Sequence, residues 1–385
     1  MYLHIPFCVK KCNYCDFLSA PAGRKQIEEY LQCLNKEIRA YREYHYEADT
    51  VFFGGGTPSL LLPDDIRQLM EALRETFYIE ETAEVTMECN PETVDREKLA
   101  AMKEAGVNRL SFGLQSASDR ELLLLGRIHN YERFLAAYTT AREEGFENIN
   151  IDLMSAIPEQ TEKTWEETLE KVVKLNPEHI SAYSLIIEEG TVFYEKQEKL
   201  LLPDEDAERR MYYRTKEILK AAGYERYEIS NYARPGYESR HNLKYWSCEE
   251  YIGIGLGASS YLEGVRFFNV PEYKIYRDCC MELGKEGENV AGEDGSGLSA
   301  LRREKEKLGE KQKMEEFCFL GLRRMQGISK KLFEEQFGMP IEEVYGKVLK
   351  ELQEKDLLYI EETRIFLTEK GIDVSNQVFA EFLLD

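Results

Sequence analysis

Three cysteines, Cys8, Cys12 and Cys15, fall within the opening stretch MYLHIPFCVKKCNYCDF in the pattern C-x3-C-x2-C. Three chemistries compete for them. A closed zinc site needs a fourth ligand, for which His4 is nominally available, but the spacing is not the paired CxxC of structural zinc. Plain buried thiols fit poorly beside Lys10, Lys11, Asn13 and Asp16, which give the stretch a polar, loop-like character. A [4Fe-4S] cluster accepts four ligands, so three thiolates leave one iron open to a small molecule. On that reading the missing fourth cysteine is itself a functional feature.

Such a loop must be held by something, and the apolar pattern says what. Short β-type segments run from Tyr2 to Ile5, Thr50 to Phe53, Glu84 to Cys89, Asn108 to Leu114, Asn148 to Met154 and His179 to Leu185. Helical spacing lies between them, as in Ile66, Leu69, Met70 and Leu73, or Leu99 and Met102 before Gly106. Alternating strands and helices predict parallel βα units, forming either a partial barrel or an open doubly wound sheet. In both architectures the site lies at the carboxyl ends of the strands. Polar or glycine residues recur there: Gly54, Gly55, Gly56, Thr57 and Pro58 after the second strand, Glu88 at the end of the third, Gln115 at the end of the fourth, and Asp152 near the end of the fifth, with Arg127 in the segment after the fourth. Singly, Glu88 could cap a helix, Arg127 could pair at the surface and Asp152 could orient a loop. Together, at successive strand ends, they point to a ligand.

The chain has 385 residues, enough for a large domain and a small one, and a net charge of -22 with lysine and arginine interleaved among glutamates. That charge argues against nucleic acid as a partner. Nine scattered cysteines without an apolar leader favour a reducing, cytoplasmic setting, and no run reaches the roughly 20 apolar residues of a membrane span. Glu225 to Ser230 reads as a further strand closing the first domain, 1–281. Residues 282–313, rich in glycine and charge, read as a flexible linker or surface insertion. Residues 314–385 carry helical segments at Met314 to Arg324, Lys330 to Phe337 and Ile341 to Lys355 and a hairpin candidate, LLYIEETRIFLT, which together predict a winged-helix-like α+β domain. The third of these helices offers no basic face for DNA.

The C-x3-C-x2-C loop resembles the signature of the radical S-adenosylmethionine (SAM) superfamily, and GGGTP after the second strand resembles its SAM-binding glycine motif. The resemblance implies a partial (βα)6 TIM-like barrel, a [4Fe-4S] cluster on Cys8, Cys12 and Cys15 chelated at its open iron by SAM, an electron donor, and cleavage of SAM to methionine and a 5'-deoxyadenosyl radical. Gly55, Gly56, Thr57, Glu88, Gln115, Arg127 and Asp152 match SAM-binding positions of the oxygen-independent coproporphyrinogen oxidase group. There Glu88 can accept hydrogen bonds from ribose hydroxyls or the ammonium, and Arg127 can pair with a carboxylate. Tyr2 and Tyr14 flank the cluster and can pack against SAM. The other six cysteines, Cys33, Cys89, Cys248, Cys279, Cys280 and Cys318, are expected to be dispensable for the cluster.

YLHIPFC, GGGTP, MECNP, LSFGLQS and NIDLM resemble the barrel shared by coproporphyrinogen III dehydrogenase and the heme chaperone HemW family. Three departures separate this chain from the dehydrogenase. Phe17 stands where the dehydrogenase has a further cysteine, only seven residues precede Cys8 where the dehydrogenase has an extension, and HNLKYW matches the HNxxYW motif of the chaperones. EEFCFLGLRRMQGIS is similar to their C-terminal module. The resemblance therefore implies a carrier of heme, with His241, Asn242, Tyr245 and Trp246 as heme-site candidates and His241 as a candidate iron ligand. The competing role for His241 is a histidine bonded to backbone beside a packed aromatic corner. The implied partners are heme and heme-acceptor proteins, membrane-surface ones included, and dehydrogenase activity is not expected.

Overall fold

The computed structural model describes residues 1–283 and 297–384. Six strands form where the sequence predicts them: β1 (Tyr2–Ile5), β2 (Glu47–Gly55), β3 (Tyr78–Cys89), β4 (Arg109–Gln115), β5 (Ile149–Ser155) and β6 (His179–Ser184). They pair in parallel and in chain order. Gly253–Ile254 adds a parallel strand beside β1, and Asn231–Ala233 and then Glu225–Arg226 add antiparallel strands beyond β6. Among the described residues the two edges of this nine-stranded sheet do not pair with each other, so the barrel is partial.

Alternation along the strands explains why the sheet has two unlike faces. Leu3, Ile5, Val51, Phe53, Val85, Met87, Leu110, Phe112, Ile151 and Leu153 are buried in the core that includes the flanking helices. Pro63–Thr76, for example, buries Ile66, Leu69, Met70 and Leu73, and the helix Tyr131–Glu143 starts where the Asn130 side chain accepts from the Arg133 amide. The alternate positions, among them Thr86, Glu88, Arg109, Ser111, Asn150, Asp152, His179 and Ser181, make the interior face polar. These groups satisfy one another: Ser111 Oγ donates to Asp152 Oδ2 (3.1 Å), Asn150 Nδ2 donates to Asp152 Oδ1 (2.7 Å), and His179 Nδ1 meets Asn150 Oδ1 (2.6 Å).

Two expectations need correction. Glu225 to Ser230 is not one strand but two short pieces, Glu225–Arg226 and Asn231–Ala233, because the buried Glu228 turns the chain by accepting from the Ser230 amide (3.0 Å) and the Asn231 side chain. Residues 282–313 are not a linker throughout. Within them 284–296 lie outside the described residues, but Arg302–Lys307 forms a strand on Val265–Asn269, which pairs in turn with Ser259–Leu262. Its sequence, RREKEK, lacks alternation because it is an edge strand largely open to water, and its anchor is the Arg302 guanidinium over the Phe267 ring at 4.6 Å.

The C-terminal part has its own core around Phe317, Cys318, Phe333, Tyr345 and Ile365. Helices Glu310–Gly321, Lys330–Phe337 and Ile341–Glu354 pack with a three-stranded antiparallel sheet of Ile328–Ser329, Arg364–Leu367 and Leu358–Ile360, a winged-helix-like arrangement. The first helix begins before Met314 because its opening turn is largely solvated and carries no apolar signal. Among the described residues no helix is long and apolar enough to cross a membrane.

Candidate functional site

The cysteine loop leaves β1 and is pinned at several points. Phe7–Cys8 pairs with Ala20–Pro21, closing the loop at its base. Asn13 holds its outer part, with N–H to Leu125 O at 2.9 Å, Nδ2 to Leu124 O at 2.8 Å, and its carbonyl accepting from the Phe193 amide at 2.9 Å. Cys8, Cys12 and Cys15 are free thiols lining one cavity. Thr57 Oγ1 donates to Cys8 Sγ at 3.4 Å and an Arg127 NH donates to Cys12 Sγ at 3.6 Å. Donors aimed at sulfur, with Lys10 and Lys11 also lining the cavity, suit thiolates that hold an anionic cluster. His4 is not a fourth ligand, since Tyr2 OH meets its Nδ1 at 2.9 Å and Leu18 O meets its Nε2 at 2.8 Å. The zinc reading loses its fourth donor.

The same cavity gathers Tyr14, Gly55, Gly56, Thr57, Glu88, Gln115, Arg127 and Asp152. Glu88 Oε2 accepts from the Gly55 amide at 3.1 Å. Burial pushes the Glu88 carboxyl up to about 8, the neighbouring Asp152 adds to the rise, and the Gly55 amide and Arg109 oppose it. Asp152 is also raised by burial, against the pull of its Asn150 and Ser111 hydrogen bonds. Gln115 has φ +72°, and the register with β5 shifts between Gly113 and Gln115, a bulge that re-aims the side chain at the strand end. Arg127 also donates to Gly113 O at 2.5 Å. A side chain at Gly113 would sit 3.1 Å from Gln115 Nε2 and 3.3 Å from Arg127, so its absence makes room for both.

The glycines of GGGTP do more than let a ligand approach. Gly55 has φ +109°, and a Cβ there would lie 2.6 Å from the His4 ring, while one on Gly56 would lie 2.6 Å from Phe7 O. They let β2 pass against β1 and the cysteine loop. Tyr2 stands apart from the cavity lining, stacked on Phe52 at 6.2 Å. Tyr14 packs with Leu125, Ile157 and Phe193 beside Arg127, and burial raises its phenol.

HNLKYW forms the helix Arg240–Trp246, capped by Ser239. His241 is not presented to a ligand. Only 2% exposed, it stacks on Phe52 at 5.0 Å, meets Thr50 Oγ1 through Nδ1 (3.0 Å) and Tyr245 OH through Nε2 (2.9 Å), and its pKa is driven well down by burial. Asn242, Tyr245 and Trp246 instead line a second cavity of about 680 Å3, which runs from Ser155, Ala182 and Tyr183 at the barrel strand ends to Arg323, Ile372 and Asp373 of the C-terminal part. Tyr183, Tyr212 and Arg323 in that cavity and Ser111 and Gly113 in the first are not among the site candidates named from the sequence. For Ser111 and Gly113 the signal was available in the alternation of RLSFGLQ. For the other three no local pattern distinguishes them.

The sequence profile of the Radical SAM superfamily matches residues 2–172, and that of the HemN C-terminal domain matches residues 308–374. The heme chaperone HemW of Bacillus subtilis is 39% identical, covering 99% of this chain and 98% of its own length. That of Lactococcus lactis is 36% identical over 100% and 97%, and that of Escherichia coli is 42% identical over 67% and 68%. Among solved structures, the coproporphyrinogen III oxidase HemN from Escherichia coli, a radical SAM enzyme, superposes with a TM-score of 0.84 at 26% identity, covering 99% of this chain and 89% of its own.

Proposed function

Because this chain belongs to the radical SAM superfamily and, within it, to the HemW family, we propose that it is a heme chaperone that holds a [4Fe-4S] cluster, SAM and heme and passes heme to acceptor proteins. Cys8, Cys12 and Cys15 would hold the cluster, which when bound supplies a one-electron reductant beside SAM. Glu88 and Asp152 offer carboxylates to the cationic and hydroxyl groups of SAM, while Arg127, Gln115, Thr57 and the Gly55–Gly56 backbone offer donors. Tyr14 lines the same cavity, buried beside Arg127.

The observation that carries the chaperone reading is the second cavity: three residues of HNLKYW line it, and it is large enough and aromatic enough for a porphyrin. Phe17 supports it too: it lines the cluster cavity where the dehydrogenase has a further cysteine. The likeness to HemN favours a second reading, a coproporphyrinogen III dehydrogenase. Anaerobic reconstitution followed by a heme titration and a coproporphyrinogen conversion assay separates the two. Heme binding without decarboxylated product is expected, and stoichiometric protoporphyrinogen IX would overturn the carrier reading.

A further inference from the structure

The cavity between the barrel and the C-terminal part contains more than the HNLKYW residues. Tyr183, Tyr212, Tyr232, Tyr245 and Trp246 give it an aromatic lining, and among the described residues no histidine, cysteine or methionine lines it. Two of its polar groups, Trp246 Nε1 and Arg323 Nε, are buried and have no hydrogen-bond partner among the described residues. Buried polar groups are rarely left unpaired without a reason. The acids around the cavity are largely engaged. Glu208 accepts from Ser184, Asp373 from Tyr213, and Glu228 from Ser230 and Asn231. The Arg323 guanidinium lies over the Trp246 ring, 4.5 Å to the centroid, and a guanidinium pairs readily with a carboxylate.

Tyr212, on the helix Glu205–Ala221, accepts a 2.8 Å hydrogen bond from Arg226, whose guanidinium also lies over the Tyr212 ring at 5.7 Å and is tied to Glu369 of the C-terminal part. Burial, with Asp373, Glu369 and Glu228, pushes the Tyr212 phenol up to about 12 against the opposing pull of Arg226, so its anion needs a strong cation, and a phenolate is an established axial ligand of ferric heme.

Resting on the heme-carrier reading, we propose that heme occupies this interdomain cavity with the Tyr212 phenolate on its iron and a propionate on Arg323. Ferric iron displaces the phenol proton, which leaves to bulk water, and the Arg226 hydrogen bond remains on the oxygen. The porphyrin then lies among the aromatic rings, and the helix Glu205–Ala221, the HNLKYW helix and the C-terminal part close on it together. Because the cavity begins at Ser155 and Tyr183, the bound tetrapyrrole abuts the strand ends that carry Asp152. His241 holds the HNLKYW helix to the barrel rather than holding iron.

The test is a ferric heme titration of the full chain with its cluster reconstituted, followed by absorption and resonance Raman spectroscopy. The wild type is expected to show a phenolate-to-iron charge-transfer band. Tyr212→Phe should lose that band and about tenfold or more in heme affinity, with cluster absorbance and SAM binding unchanged. Tyr212→His should replace the band by an imidazole-type spectrum, and Arg323→Gln should weaken binding while keeping the band. Retention of wild-type band and affinity by Tyr212→Phe, or of the wild-type band by Tyr212→His, overturns the site while leaving the carrier reading standing. A wild-type chain that binds no heme overturns both.

Discussion

Replacing Glu88 by glutamine gives a quantitative handle on the SAM site. The wild-type carboxyl, pushed up to about 8 by burial and by Asp152, is one pH unit above neutrality. At pH 7 only about one Glu88 in ten is ionised, and at pH 9 about nine in ten are. A cationic, hydroxyl-bearing ligand such as SAM is better bound by the anion than by the acid, so the contribution of Glu88 to SAM affinity should rise about tenfold from pH 7 to pH 9. The sign follows from the raised pKa: the favourable charge is absent below it and present above it. Glu88→Gln keeps an oxygen for the Gly55 amide and removes the titration. The SAM amino group titrates alike in both proteins, so the informative quantity is the ratio of wild-type to variant affinity, measured by calorimetry of the cluster-loaded protein at pH 7, 8 and 9. A ratio that stays constant across that range would refute the argument, because a group with an ordinary carboxyl pKa would be fully ionised throughout.

Serine at Cys8, Cys12 or Cys15 should abolish the reconstituted cluster, whereas serine at Cys33, Cys89, Cys248, Cys279, Cys280 or Cys318 should leave iron content unchanged, as read by iron analysis and absorption. Gly55→Ala should destabilise the fold by about 2–4 kcal/mol in urea melts, because its Cβ meets the His4 ring and its φ lies in the left-handed region. If the alanine variant were as stable as the wild type, the glycine would be there for the ligand alone. His241→Ala should cost about 2–4 kcal/mol through a lost buried ring and two hydrogen bonds, and should leave the iron-ligand bands of bound heme unaltered. A changed ligand spectrum in the folded variant would return His241 to the iron.

What was legible in the sequence is what neighbours along the chain decide. Cys8, Cys12 and Cys15 lie in one loop, so their spacing alone announces a three-thiolate site. The six parallel strands are legible because each alternates core residues with the polar interior, and GGGTP and Glu88 fall at strand ends that any parallel barrel turns toward its ligand. The edge strand Arg302–Lys307 was illegible, since a strand wet on most of its surface needs no apolar alternation and its partner, Val265–Asn269, is distant in the sequence. Gly55 looked like a ligand contact, but only the packing of β2 on β1 brings it against His4. His241 is a candidate iron ligand through the resemblance of HNLKYW to the chaperone motif, but in the fold Thr50, 191 positions away, takes one ring nitrogen while Tyr245 takes the other. Likewise Tyr212, Arg226, Trp246 and Arg323 carry no shared motif, because they come from separate elements, and Arg323 meets Trp246 only where the C-terminal part packs on the barrel. Hydrogen bonds and ring contacts depend on distances of a few ångströms in space, and for groups this far apart in the chain those distances are set by tertiary packing.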